Sequence, residues 1–90
     1  MLAVNLSRVS EKYIKRLPPK QQRQITEKIF MLAENPKQPD ARKLSGYEFY
    51  RRVDVGERRI IYRFSSVIVY ITLVGKRNDD EVYRKFRRMM

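Results

Sequence analysis

The sequence has no cysteine, no histidine and only three glycines, and its ten acidic residues face twenty-one Lys and Arg. Each shortage excludes something. Without cysteine there is no disulfide framework, and a chain in a reducing cytosol needs none. With histidine missing as well, the usual zinc ligand sets cannot be assembled, so neither metal nor cofactor is expected. Histidine is also the commonest general acid–base, and its role would fall to other side chains. No apolar run approaches the roughly 20 residues of a membrane-spanning helix, and the first strand is too short for a signal-peptide core. A cytoplasmic protein without membrane contact is expected. Its 90 residues, 42% of them hydrophobic, suit one folded domain spanning 1–90.

What the chain does have is positive charge. The balance is +11, with a sequence pI near 10.4. Such a field draws in polyanions and binds phosphates in a salt-sensitive way, which points to a nucleic acid or an acidic protein as partner.

Leu2, Val4 and Leu6 alternate with Ala3 and Asn5, predicting a short strand over 2–6. Ser7 is a fitting N-cap for a helix carrying Val9, Tyr13, Ile14 and Leu17 at near-helical spacing. Pro18-Pro19 stops it and opens a second helix to about Glu34, with Gln22, Ile25, Ile29, Leu32 and Ala33 along one stripe. The two should form an antiparallel hairpin. The segment PKQPDARKLS reads as a linker anchored by Leu44, and EFYRRVDV as a strand over 48–55 ended by a turn at Gly56.

The stretch from Glu57 to Tyr83 organises the rest. Ile60, Tyr62 and Phe64 alternate with Arg59, Ile61 and Arg63, and Ser65-Ser66 turns the chain back. Val67 to Val74 is apolar almost throughout, as a strand buried on both faces would be. Gly75-Lys76-Arg77 then leaves the strand end, a place where a rigid scaffold presents cations. Asn78 and Glu81 are spaced as a capping pair for a last helix, with Asp79 and Asp80 at its positive end. Val82, Phe86 and Met89 make its apolar stripe, and Lys85, Arg87 and Arg88 its basic end. The order β-α-α-β-β-β-α predicts an α+β domain, with the helix hairpin on one face of an antiparallel sheet. The other face, carrying arginines, is expected to stay open for partners.

The order KLSG…YRRVDVGERRIIYRF…VIVYITLVGKRNDDEVYRKF resembles the RelE/ParE superfamily of toxins from bacterial toxin–antitoxin pairs. More narrowly it resembles the RelE-like branch, which cleaves messenger RNA on the ribosome. The likeness spans nearly the whole chain. Its most specific pieces are Val55-Gly56-Glu57-Arg58-Arg59-Ile60-Ile61-Tyr62 and Gly75-Lys76-Arg77 through Glu81-Val82-Tyr83. It implies the same fold, an acidic antitoxin as partner in a hetero-oligomer, and messenger RNA on the ribosome as target.

A cluster of cations and tyrosines suits metal-free attack of a ribose 2′-hydroxyl on its phosphate. Arginine supplies fixed charge and bidentate contacts but no base, whereas lysine or tyrosine can move protons. The resemblance places Arg59 and Arg77 on the scissile phosphate, with Tyr83 stacking on a base or assisting proton transfer. Arg52 falls on a basic position of the same nucleases, and Arg52, Arg63, Lys76 and Lys43 are the candidate RNA contacts. Asp54 departs from the pattern, standing where those enzymes place another basic residue. The plainer reading of Arg59 and Arg63 is a solvated face, or a surface pair with Asp54 or Glu57. Tyr83 could equally pack at the sheet edge. A ParE-like inhibitor that blocks DNA gyrase without catalysis is the alternative function.

Overall fold

The computed structural model describes residues 1–78 and 81–89. Its elements are β1 (Ala3–Leu6), α1 (Arg8–Lys15), α2 (Pro19–Glu34), β2 (Arg42–Leu44), β3 (Tyr47–Val55), β4 (Arg58–Phe64), β5 (Ile68–Lys76) and α3 (Glu81–Met89). Five strands form one sheet in the order β1-β5-β4-β3-β2. The α+β class and the element order match expectation, with two refinements. Part of the expected linker is the three-residue strand β2, which exists by pairing with β3. And β1 joins the edge in parallel with β5, whereas every other pair is antiparallel. No helix among the described residues is long and apolar enough to cross a membrane.

The helix hairpin forms as its punctuation dictates. Ser7 caps α1 by accepting from the Ser10 N–H at 3.1 Å, and its hydroxyl reaches the Thr72 carbonyl at 2.8 Å. Pro19 opens α2, where its missing N–H costs nothing. Gln22, expected on the apolar stripe, instead turns its amide back to the Lys15 and Leu17 carbonyls at 3.1 and 2.9 Å. It thereby satisfies acceptors that the end of α1 leaves open.

Both faces of the sheet are used. Ile25, Ile29, Leu32 and Ala33 of α2 pack with Leu17 on Val53, Ile60, Tyr62, Val69, Ile71 and Val74. On the opposite face Val82 and Phe86 of α3 cover Leu44, Ile61 and Leu73. The expectation that this second face stays open is thus corrected. The amphipathic stripe of α3 is long enough to build a core of its own, and only its margin is left to solvent. β5 serves both cores by alternation, as β4 does with Ile60 and Ile61, and an extra residue, Thr72, shifts its phase. Ile61 faces Leu73 and Tyr62 faces Ile71, so Thr72 is bulged out of the pairing.

Tyr62 ties the irregular segment before β2 to the core. Its side chain is buried, and its hydroxyl donates to the Pro36 carbonyl at 2.6 Å. Burial pushes the phenol up to about 12, with Arg51 opposing the shift. An ordinary tyrosine ionises near pH ~10. The fold therefore keeps this contribution below that pH and loses it as pH rises towards about 12. Tyr62→Phe should cost about 1 kcal/mol at neutral pH, from the lost hydrogen bond. It should also flatten the alkaline fall in stability, as read from denaturant midpoints between pH ~10 and about 12.

Candidate functional site

β5 continues through Lys76, two residues beyond the expected Val74, so Gly75 lies inside the strand. Its value is close approach. A Cβ at Gly75 would stand 3.1 Å from Cβ and Cγ2 of Val82, so α3 rests directly on the strand backbone there. Gly75 is also the register partner of Arg59. The missing side chain thus brings the first turn of α3 down beside Arg59.

Around that contact the alternation of three strands gathers one group of side chains. Arg59 of β4 is paired in register with Asp54 of β3. Its Nε donates to Asp54 Oδ1 at 2.6 Å and its Nη2 to Oδ2 at 3.1 Å, a fork-to-fork pair. The third nitrogen, Nη1, donates to the hydroxyl oxygen of Tyr83, whose ring centroid lies 5.5 Å from the guanidinium carbon. Arg77 reaches the same carboxylate more loosely, with Nη1 3.6 Å from Asp54 Oδ2, and its side chain is 44% exposed against 15% for Arg59.

The Arg59 hydrogen bond holds the Asp54 carboxyl below its usual range. Burial opposes this, and the charges of Arg59, Arg52 and Arg77 add to it. The Arg59 guanidinium is in turn held further up, chiefly by Asp54. Asp54 is therefore a fixed negative charge and a weak base. The plainer reading of Arg59, an ion pair with Asp54, is part of what the structure contains, but in a more buried setting than a surface pair.

Beside the group opens a cleft of about 350 Å³, lined by Lys43, Leu44, Ser45, Tyr47, Arg52, Tyr83, Phe86 and Arg87. Its floor is apolar and aromatic, with Tyr47 and Tyr50 edge-on to Phe86 at 4.8 and 4.9 Å. Its rim is cationic. Of the residues singled out from the sequence, Arg52, Arg59, Arg77, Tyr83 and Lys43 thus come together at one margin of the sheet. Arg63 and Lys76 do not. Arg63 lies over the Tyr70 ring at 3.9 Å, at the other end of β4, and Lys76 is paired with Arg58. Arg87 was missed, although it stands four residues after Tyr83 and so on the same side of a helix. Asn78 donates to Glu57 Oε2 at 2.9 Å, whereas Asp79 and Asp80, expected at the start of α3, lie outside the described residues. No group of three or more acidic residues that could hold a metal occurs among the described residues.

A five-stranded sheet with a helix hairpin on one face and a third helix on the other is the fold that the solved RelE toxins share. The free RelE toxin of E. coli aligns over 100% of this chain and 100% of its own, with a TM-score of 0.75 and 21% identity. The RelE–RelB complex from Pyrococcus horikoshii gives 0.72 and 23%, covering 86% of this chain and 96% of that one. The RelB–RelE antitoxin–toxin complex from Methanococcus jannaschii gives 0.67 and 21%, covering 81% and 90%. At such identities the likeness carries the fold. No curated protein sequence matches. The family model described as "ParE toxin of type II toxin-antitoxin system, parDE" matches residues 5–81. The chain belongs to this family, within the RelE/ParE toxin superfamily.

Two substitutions test the construction of the site. Asp54→Ala leaves the Arg59 fork without its carboxylate and should cost about 2 kcal/mol at neutral pH. A lowered carboxyl pKa stabilises the fold above the ordinary value near ~4, and that share is lost as pH falls through the folded value. The gap between the two proteins should therefore close with acidification, in thermal melts from pH ~6 to ~2. Gly75→Ala forces Val82 outward and should cost about 1 kcal/mol or more. It should also loosen the Arg59–Tyr83 contact, visible as a changed environment of the Tyr83 ring by NMR.

Proposed function

We propose that the protein is the toxin of a type II toxin–antitoxin pair and that it acts as an endoribonuclease on messenger RNA at the ribosome. One observation carries this reading: Arg52, Arg59, Arg77 and Tyr83 converge on one margin of the sheet, beside a cleft rimmed by Lys43 and Arg87. An acidic antitoxin would neutralise the +11 chain and hold it in a hetero-oligomer.

The chemistry assigned to this site is transesterification. The ribose 2′-oxygen bonds to the adjacent phosphorus, the bond to the 5′-oxygen breaks, and a 2′,3′-cyclic phosphate and a 5′-hydroxyl result. Arg77 and Arg52 are the cations left to receive the phosphate, because Arg59 spends its nitrogens on Asp54 and Tyr83. Arg59 acts as a positioning residue for Tyr83. The Tyr83 oxygen accepts from Arg59, which leaves its own O–H to protonate the departing 5′-oxygen. Asp54 is too weak a base to take the 2′-hydroxyl proton, and this proton leaves to water.

A second reading has its own support. The matching family description is that of a ParE toxin, and Asp54 cancels a charge in the proposed site. On this reading the chain binds and blocks DNA gyrase without catalysis. Asp54→Lys separates the readings, since it replaces a repelling charge by an attracting one and also frees the Arg59 fork that positions Tyr83. It should change the cleavage rate of a nuclease and has no such reason to change a gyrase inhibitor.

Arg77→Ala should lower cleavage about a hundredfold, as expected for loss of one phosphate-neutralising group. The fold should survive, because the side chain is 44% exposed and belongs to neither core. The assay is end-mapped messenger-RNA cleavage on purified translating ribosomes, run beside gyrase supercoiling. Supercoiling inhibited by the unmodified chain with no cleavage would reject the nuclease reading. Cleavage unchanged in a folded Arg77→Ala variant would remove Arg77 from the site.

A further inference from the structure

Alternation along β4 and β5 sorts the cations at the sheet end onto two faces. Arg59 and Arg77 turn towards α3 and share Asp54. Their chain neighbours, Arg58 and Lys76, turn the other way and face each other directly across the ladder. Two like charges opposite each other on antiparallel strands destabilise the pairing unless something between them is negative. Among the described residues neither of the two takes part in an ion pair.

Arg58 is held in place, not waving in solvent. Its Nη2 donates to Gln21 Oε1 of α2 at 3.2 Å, and its guanidinium carbon lies 6.0 Å from the centre of the Tyr13 ring of α1. Its Nε is buried and has no hydrogen-bond partner among the described residues. A buried charged donor without an acceptor is costly; it is closed to a ligand itself, and an anion can reach only the part of the Arg58 side chain that remains open to solvent. Next to it is a depression of about 510 Å³ lined by Glu57, Arg58, Lys76 and Asn78. Among the described residues its lining holds one carboxylate, Glu57, which keeps its charge while Oε2 accepts from Asn78 Nδ2 at 2.9 Å, so the two cations outnumber it.

We propose that Arg58 and Lys76 form a second anion site, which takes a phosphate of the polynucleotide whose scissile phosphate lies at Arg77. This rests on the nuclease reading above. Two non-bridging oxygens of one phosphodiester can accept from Arg58 and from Lys76 together, relieving the repulsion across the ladder. The polynucleotide is favoured over an acidic protein segment by continuity. Lys76, Arg77 and Asn78 are exposed and consecutive, so a strand passing over the sheet end meets the Arg77 group on one face and the Arg58 group on the other. The second site would thus hold the RNA beyond the cleavage point, while the first acts on it.

The test is binding of the full-length chain to a 2′-O-methylated RNA of about six nucleotides, which cannot be cut, at a series of KCl concentrations. For a single strand, each lost phosphate contact should lower the slope of log K against log salt by about 0.7. Because the two cations share one phosphate, Arg58→Gln and Lys76→Gln should each show part of this drop and the double variant about the whole of it. Lys76 is exposed and supports no core, so its variant keeps the test valid should Arg58→Gln fail to fold. An unchanged slope in folded Lys76→Gln overturns the proposal. So does a poly-glutamate peptide that binds more tightly than the RNA, or inorganic phosphate that shifts the Arg58 Nε–H resonance as strongly at equal concentration. Because the assay needs neither ribosome nor cleavage, loss of the nuclease reading leaves its outcome separately readable.

Discussion

The structure depends on β5 being buried from both sides. It is the only strand that pairs with the parallel edge strand, and it also pairs with β4 and contributes to both cores. Alternation lets a strand serve two faces, and the bulge at Thr72 shifts its phase, so that Leu73 joins the core under α3 and Val74 the core under α2. The carbonyl freed by that bulge accepts the Ser7 hydroxyl, so the start of the helix hairpin is fixed to the same residue. A strand held in this way delivers Gly75, Lys76 and Arg77 from a rigid base.

The electrostatics follow from that rigidity. Side chains at a strand end cannot choose their face, so Arg77 joins Arg59 and Asp54 while Lys76 joins Arg58. Within the first group a single carboxylate takes two hydrogen bonds from Arg59 and attracts Arg77. Such an arrangement orients Arg59 and Tyr83 firmly but lowers the net positive charge at this margin of the sheet. The cleft offsets this with Lys43, Arg52 and Arg87 on its rim.

Much of this was legible from residue order. The unbroken run Val67–Val74 revealed the central strand, Pro18-Pro19 marked the hairpin, and Ser7 proved to be the cap it promised to be. Local patterns sufficed there because the deciding interactions lie within a few residues. They failed where partners are distant. Arg42–Leu44 has no alternation of its own and is a strand only because β3 runs beside it. The cover that α3 gives the second face depends on Gly75 meeting Val82, a contact between two elements that no periodicity encodes. In the candidate site, residue types were readable but facing was not. Lys76 and Arg77 look interchangeable in GKR, and only the extension of β5 through Lys76 sends them to opposite sides. Arg58 lies within the family-like stretch but residue order does not single it out as a site residue, since its interest lies in a buried nitrogen and a like charge across the ladder.

The parallel edge has a consequence for how the molecule comes into being. Ala3 pairs with Ile68 and Leu6 with Ile71, so the first strand to be synthesised has no partner until most of the chain has followed. The helix hairpin is built from near neighbours in sequence and can form early, whereas the sheet waits on its most distant contacts. Until β5 is available, Val4 and Leu6 lack the strand they lie against, and the cores that support Arg59 and Tyr83 are incomplete. A truncated nascent chain of this protein therefore carries exposed apolar segments but no assembled site, and the capacity to act arrives all at once, late in translation.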